Sequence, residues 1–125
     1  MSLRVRLESV GLDQCGVSVI SIAELYYGAA CSPEEQISRR EREAAAVSEQ
    51  FAIVPLAEAV SIYAVEKARL RRAGQLIQDN DLFIGATARA HDLILVTGNT
   101  GHFARMQGIT LEDWTAPADN AFLTP

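Results

Sequence analysis

The chain is short of cysteine, proline, long apolar runs and positive charge, and each shortage excludes something. Its 125 residues include only two cysteines, Cys15 and Cys31, too few for a disulfide framework and without zinc-site spacing. Both are expected to be free buried thiols in a reducing compartment. With four prolines and no biased segment, the chain is not a Pro-rich linker or scaffold. No apolar run reaches the roughly 20 residues a membrane helix needs. The opening "MSLRVRLESVG" has basic residues but no apolar centre of a secretion signal, so the cytoplasm is the expected location. Lys and Arg number 11 against 16 Asp and Glu, and the net charge of −5 argues against a general nucleic-acid coat. Phosphates could approach such a protein only through a local basic stripe or a bound cation.

What is present is apolar surface in an alternating pattern. About half the residues are hydrophobic (49%), enough for one domain with a single core. "LRVRLESVG" reads as a helix closed by Gly11. "GVSVIS" is β-branched and uncharged, as in a buried strand. "IAELYYGAA" is helical, and a longer helix follows, with Ser32 as its expected N-cap and Pro33 at its first position. Ile37, Ala44, Val47 and Phe51 suit its buried side. "FAIVPL" is a second strand, and "AEAVSIYAVEKARLRRAG" a helix stopped by Gly74. "DNDLFIGATARAHD" is another helix, which Asp79 or Asn80 can cap. "LILVTGN" reads as a strand covered on both faces, and "ITLEDW" as an edge strand with Trp114 as its lid. The tail, 116–125, is expected to be loosely held. This alternation predicts an α/β fold, a layered sandwich with a mostly parallel sheet.

In such sheets ligands bind beyond the carboxyl ends of the strands. Glu24 follows the first strand, Thr97 and Asn99 follow "LILV", and Asp81 lies in the first turn of its helix. All can converge on one edge. Taken singly, each has an ordinary explanation: dipole complement for the acids, a turn for Thr97 and Asn99. Together they suggest grouped carboxylates, which repel one another until a hard divalent cation relieves them. Oxygen donors suit Mg²⁺ or Mn²⁺ rather than zinc. His91 and His102 have no second histidine at ligand spacing, so neither is expected to hold zinc. "GNTG" lacks the lysine of a phosphate loop. Lys67, Arg69, Arg71 and Arg72 crowd one helix end, where they complement the dipole; Arg69 and Arg72 are also candidate phosphate contacts. Tyr26, Tyr27 and Phe83 suit core or dimer packing better than base stacking.

"SVISIAELYYGA", followed by "NDLFIGATARAHDLILVTGNTGHFARMQGITLEDW", resembles a PIN domain of the VapC toxin type, from about residue 4 to Trp114. The resemblance implies a three-layer PIN-like sandwich over residues 1–115 and a metal-dependent endoribonuclease, the toxin half of a toxin–antitoxin pair. It implies Glu24 and Asp81 as Mg²⁺- or Mn²⁺-binding acids, Asn99 at the fourth position of the catalytic site, and Ser21 and Thr97 as polar supports at strand ends. It also implies RNA as substrate, a cognate antitoxin as partner, and a homodimer. Members normally begin with a central strand delivering a leading aspartate, in a pattern resembling Leu-Leu-Asp-Thr-Asn. No such segment precedes "GVSVIS", and Asp13 lies on the wrong edge to replace it. The domain is therefore expected to be N-terminally incomplete, with an interrupted sheet. Asn99 is neutral, and His102 stands where relatives often carry an acid. Two carboxylates hold Mg²⁺ weakly, so weak nuclease activity is expected of this chain. The alternative is a non-catalytic binding protein on the same scaffold, pairing with an antitoxin or with itself through apolar helices such as "IAELYYGAA".

Overall fold

The structure is a computed structural model describing residues 3–114, so the tail expected at 116–125 lies outside the described residues. In order, the elements are α1 (Leu3–Val10), β1 (Gly16–Ser18), α2 (Val19–Ala30), α3 (Glu34–Gln50), β2 (Ala52–Val54), α4 (Val60–Arg72), α5 (Asp79–Ala90), β3 (Ile94–Val96), α6 (Thr100–Phe103) and β4 (Thr110–Glu112). The alternation and the parallel pairing are as expected for the α/β class. The strands form two separate parallel pairs, β1 with β2 and β3 with β4. The chain divides into two compact units, one of residues 10–55 and one of residues 3–9 with 56–114.

In the first unit the β-strand is shorter than the apolar run suggests. Val19 and Ile20 are β-branched, yet they open α2 because Ser18 caps it: its Oγ accepts from the Ile20 N–H at 2.9 Å. One satisfied cap and a continuing helix outweigh a weak strand preference. Ser32 does not cap α3. Its hydroxyl donates back to the Ala29 carbonyl and closes α2, while Pro33 is the N-cap of α3. On α3 only Ala44 is fully buried; Ile37, Val47 and Phe51 are half-buried. The cysteines also depart from expectation: Cys31 is exposed and Cys15 half-buried, both without a disulfide partner.

In the second unit Leu70, Ile77, Leu82, Phe103 and Met106 make the core, with Tyr63, Ile84, Leu95, Ile109 and Leu111 packed against it. The strand alternation sends Leu95 inward, whereas Ile94 and Val96 remain 48% and 38% exposed. The β3 strand is thus covered on one face, not both. Helix α4 ends as expected at Gly74, whose φ of 68° lets its N–H reach the Arg71 carbonyl and the Gln75 N–H reach Leu70. Gly85 lets α5 lie close to the segment after α6; a β-carbon there would come within 2.5 Å of Met106 Sδ. Trp114 packs at the end of β4 as a lid. Its indole donates to Glu112 Oε1 at 2.9 Å, and Arg6 of α1 lies over its ring while bonding the same carboxylate at 3.3 Å.

The most constrained group in this unit is Glu66, a carboxylate only 2% exposed. Arg69 donates to it through Nε and Nη2, each at 2.9 Å, and the Gln107 N–H donates at 3.0 Å. Arg89 stands 4.0 Å away and completes the positive surround. The Arg69 hydrogen bonds, with the Gln107 N–H and both guanidinium charges, hold the Glu66 carboxyl below its usual range despite burial, which opposes them. Glu66→Ala should cost about 2–4 kcal/mol of folding stability, toward the low side for a buried pair because Arg69 keeps some solvent. A carboxyl with a lowered folded pKa stabilises fully above its unfolded value, about 4.3, and loses that contribution as pH falls through the folded value. Urea denaturation at pH 7 and in acid should therefore show the gap between wild type and Glu66→Ala narrowing below about pH 4; a pH-independent gap would count against this assignment.

Candidate active site

The donors that gather lie in the second unit, where the start of α5 meets the turn between β3 and α6. Thr97 follows β3 and is fixed by its N–H donating to the Glu112 carbonyl at 3.0 Å. Its hydroxyl then accepts from the Asn99 N–H at 3.0 Å, setting the turn that presents Asn99. Asn99 and His102 are three apart across the single turn of α6, so they share a face. Opposite them, Asp81 sits in the first turn of α5 with its side chain 15% exposed. His102 Nδ1 lies 3.0 Å from Asp81 Oδ2, Asn99 Nδ2 lies 3.0 Å from the same Nδ1, and Asn99 Nδ2 lies 3.5 Å from the Asp81 oxygen.

Two acids stand in that first turn, and they are not equivalent. Asp79 does not cap the helix; the N-cap is Gln78, without a side-chain bond. Asp79 instead pairs with Lys67 at 2.8 Å and accepts from the Tyr63 hydroxyl at 3.0 Å. The Lys67 hydrogen bond is the main cause of a carboxyl below its ordinary range, and Asp79 in turn raises Lys67. Tyr63 stacks on Phe83 with ring centroids 3.9 Å apart, so Phe83 serves packing, not base stacking. With Asp79 occupied, Asp81 is the acid left to serve the site.

The remaining candidates are placed differently. Glu24 belongs to the other unit, exposed in the second turn of α2, not beside the end of β1. Ser21 is not at a strand end but inside the first turn of α2, because the helix begins at Val19. Tyr26 and Tyr27 are 42% and 73% exposed, so neither is core. Arg69 commits its guanidinium to Glu66 and, at 2.8 Å, to the Arg105 carbonyl. It is a structural cation, whereas Arg72 is on the exposed side of α4.

Among the described residues no three His, Cys, Asp or Glu side chains gather to hold a metal ion. The donors that do gather are a carboxylate, an imidazole and an amide. All three are metal-ligating groups, and the set fits a divalent cation. Two side chains escaped the sequence reading. The sequence offers His102 as a departure from an acid and an improbable zinc ligand, although its spacing from Asn99 in "NTGHF" signals a shared helix face. Glu66 was passed over, although "YAVEKARL" sets it between apolar neighbours and three residues before an arginine.

The PIN domain profile matches residues 2–109 of the chain. Ribonuclease VapC2 of Haemophilus influenzae is 35% identical over 102 residues, covering 78% of this chain and 74% of that protein. The tRNA(fMet)-specific endonuclease VapC of Shigella flexneri is 30% identical over 103 residues, covering 79% and 74% respectively. Among solved structures, DNA-bound VapBC from Salmonella typhimurium is similar with a TM-score of 0.82 at 26% identity, over 90% of this chain and 83% of that one.

The two arginines offered as phosphate contacts should separate in a stability assay. Arg69→Ala should clearly lower unfolding free energy, because it leaves the buried Glu66 carboxylate short of its charged donor. Arg72→Ala should stay within about 0.5 kcal/mol of wild type. Equal effects in denaturant titrations would show that Arg69 is not structural.

Proposed function

The chain belongs to the PIN domain family, and from that premise we propose that it is an endoribonuclease of the toxin class, hydrolysing RNA phosphodiester bonds with a divalent cation, Mg²⁺ or Mn²⁺, held by carboxylates. The observation that carries this reading is the agreement of two independent facts. A ribonuclease relative aligns at 35% identity across most of both chains, and Asp81, in the "NDLFIGATA" block, is the first-turn acid that faces His102 and Asn99 while Asp79 is paired with Lys67. The partners this implies are a cognate antitoxin protein and a second copy of the chain. The free cysteines suit a reducing cytoplasm.

A divalent cation held at Asp81 would supply the charge that neutralises the scissile phosphate and would lower the pKa of an attacking water. The chain's own residues provide the rest. Asp81 supplies a fixed charge at the start of α5, where the helix dipole favours an anion and steadies the carboxylate. Thr97 holds the backbone of Asn99, and Asn99 with His102 holds Asp81 Oδ2. Glu24, with Ser21 one turn before it on α2 as support, is proposed as a metal-binding acid from the likeness of "SVISIAELYYGA" to the family. Arg72, exposed at the end of α4, is the remaining candidate for steering RNA phosphates to an otherwise acidic protein. No covalent nucleophile is required.

The test is cleavage of labelled tRNA and of an unstructured RNA, with Mn²⁺ or Mg²⁺ added. Asp81→Asn and Glu24→Gln should each lower the cleavage rate by roughly a hundredfold or more, since even outer partners of a metal site are worth ten- to a hundredfold. Thermal unfolding should change far less than activity, because Glu24 is exposed and Asp81→Asn keeps the side chain's shape. Metal-dependent cleavage that survives both substitutions would reject the reading.

A further inference from the structure

We propose that His102 is itself a ligand of the divalent cation, beside Asp81 and the Asn99 amide oxygen, and that its nitrogen makes the site prefer Mn²⁺ over Mg²⁺. This rests on the metal-dependent reading above and adds a ligand to it. The argument starts from an inconsistency among protons. His102 Nδ1 is 3.0 Å from Asp81 Oδ2 and 3.0 Å from Asn99 Nδ2, and its role in each contact depends on the tautomer. If Nδ1 carries the proton, it donates to Asp81 but confronts the hydrogens of the Asn99 amide. If it does not, it accepts from Asn99 but sets its lone pair against a carboxylate oxygen. Neither tautomer satisfies the triangle.

Turning the Asn99 amide over exchanges its oxygen and nitrogen without moving the side chain. With the imidazole proton on Nε2, three lone-pair donors then face one another, an arrangement that a cation between them makes favourable. The spacing suits one. At metal–ligand lengths of about 2.1 Å, adjacent ligands of an octahedral ion lie about 3.0 Å apart. The observed edges are 3.0, 3.0 and 3.5 Å, the dimensions of one face of an octahedron. The turn is built to hold this face: Thr97 fixes Asn99, and Phe103, beside His102, is 3% exposed in the core. An imidazole in place of a hard oxygen discriminates against Mg²⁺ and favours first-row transition ions.

The experiment is titration of the whole chain with Mn²⁺, with and without competing Mg²⁺, followed by pulsed EPR of the bound Mn²⁺. Wild type should show ¹⁴N coupling from a directly bound imidazole. His102→Ala should abolish that coupling and weaken Mn²⁺ binding about tenfold or more, while changing Mg²⁺ binding much less. His102→Asp should also lose the coupling but retain Mn²⁺, and should narrow the Mn²⁺/Mg²⁺ preference by about tenfold. Circular dichroism of each variant checks that it is folded. Mn²⁺ that binds without nitrogen coupling, and equally well in His102→Ala, would overturn this proposal and leave Asp81 as ligand. Failure of wild type to bind Mn²⁺, or binding unaffected by Asp81→Asn, would overturn the metal-site reading itself and this proposal with it.

Discussion

Glu66 is withdrawn from water and its hydrogen-bond partners favour the charged form, so its surroundings must replace the hydration it loses. They do so with two guanidinium donors from Arg69, one backbone N–H from Gln107 and the nearby charge of Arg89. These partners come from α4, from α5 and from the segment after α6. A single carboxylate therefore ties three parts of the second unit together, and Arg69 adds a further bond to the Arg105 carbonyl. Gly108, at φ 74°, lies where a β-carbon would press on the Arg89 side chain, so the segment must turn there without one. Breaking this arrangement would free the segment that follows His102 and with it the geometry of the site.

The same economy of charge decides which acid works. Asp79 and Asp81 are two residues apart in one helical turn, and both sit at the favourable end of the helix dipole. Lys67 and Tyr63 neutralise the first, and the Tyr63–Phe83 stack holds that pair in place. The second faces Asn99 and His102. The division makes Asp79 part of the scaffold and leaves Asp81 as the proposed acid of the site. Like charges crowded at a metal site are costly unless one is paired away or a cation is bound.

The first unit contributes apolar surface as well as Glu24. Leu25, Tyr26 and Tyr27 on α2 are all more than a third exposed. Aromatic and aliphatic residues left in water at this density mark a surface that is covered in an assembly. The antitoxin and the second copy proposed above are both suited to cover it.

How much of this was legible in the sequence depends on the range of the interaction. The α/β class, the parallel pairing and the stops at Gly11 and Gly74 followed from local periodicity and backbone sterics, which act over a few residues. The candidacy of Asp81, Asn99 and Thr97 was legible too, because strand ends and helix starts are where parallel α/β folds put their chemistry, and the fold brings Asp81 and Asn99 within 3.5 Å. The boundary at Ser18 was not, since a β-branched run is compatible with both strand and helix until a cap decides. Nor was the fate of the charges. Local sequence cannot say that Glu66 is buried while Arg69 is spent on it, that Lys67 removes Asp79, or that His102 reaches Asp81 across 21 residues. Those choices belong to the tertiary structure, because pairing energies depend on distances and dielectric that exist only once the chain has folded.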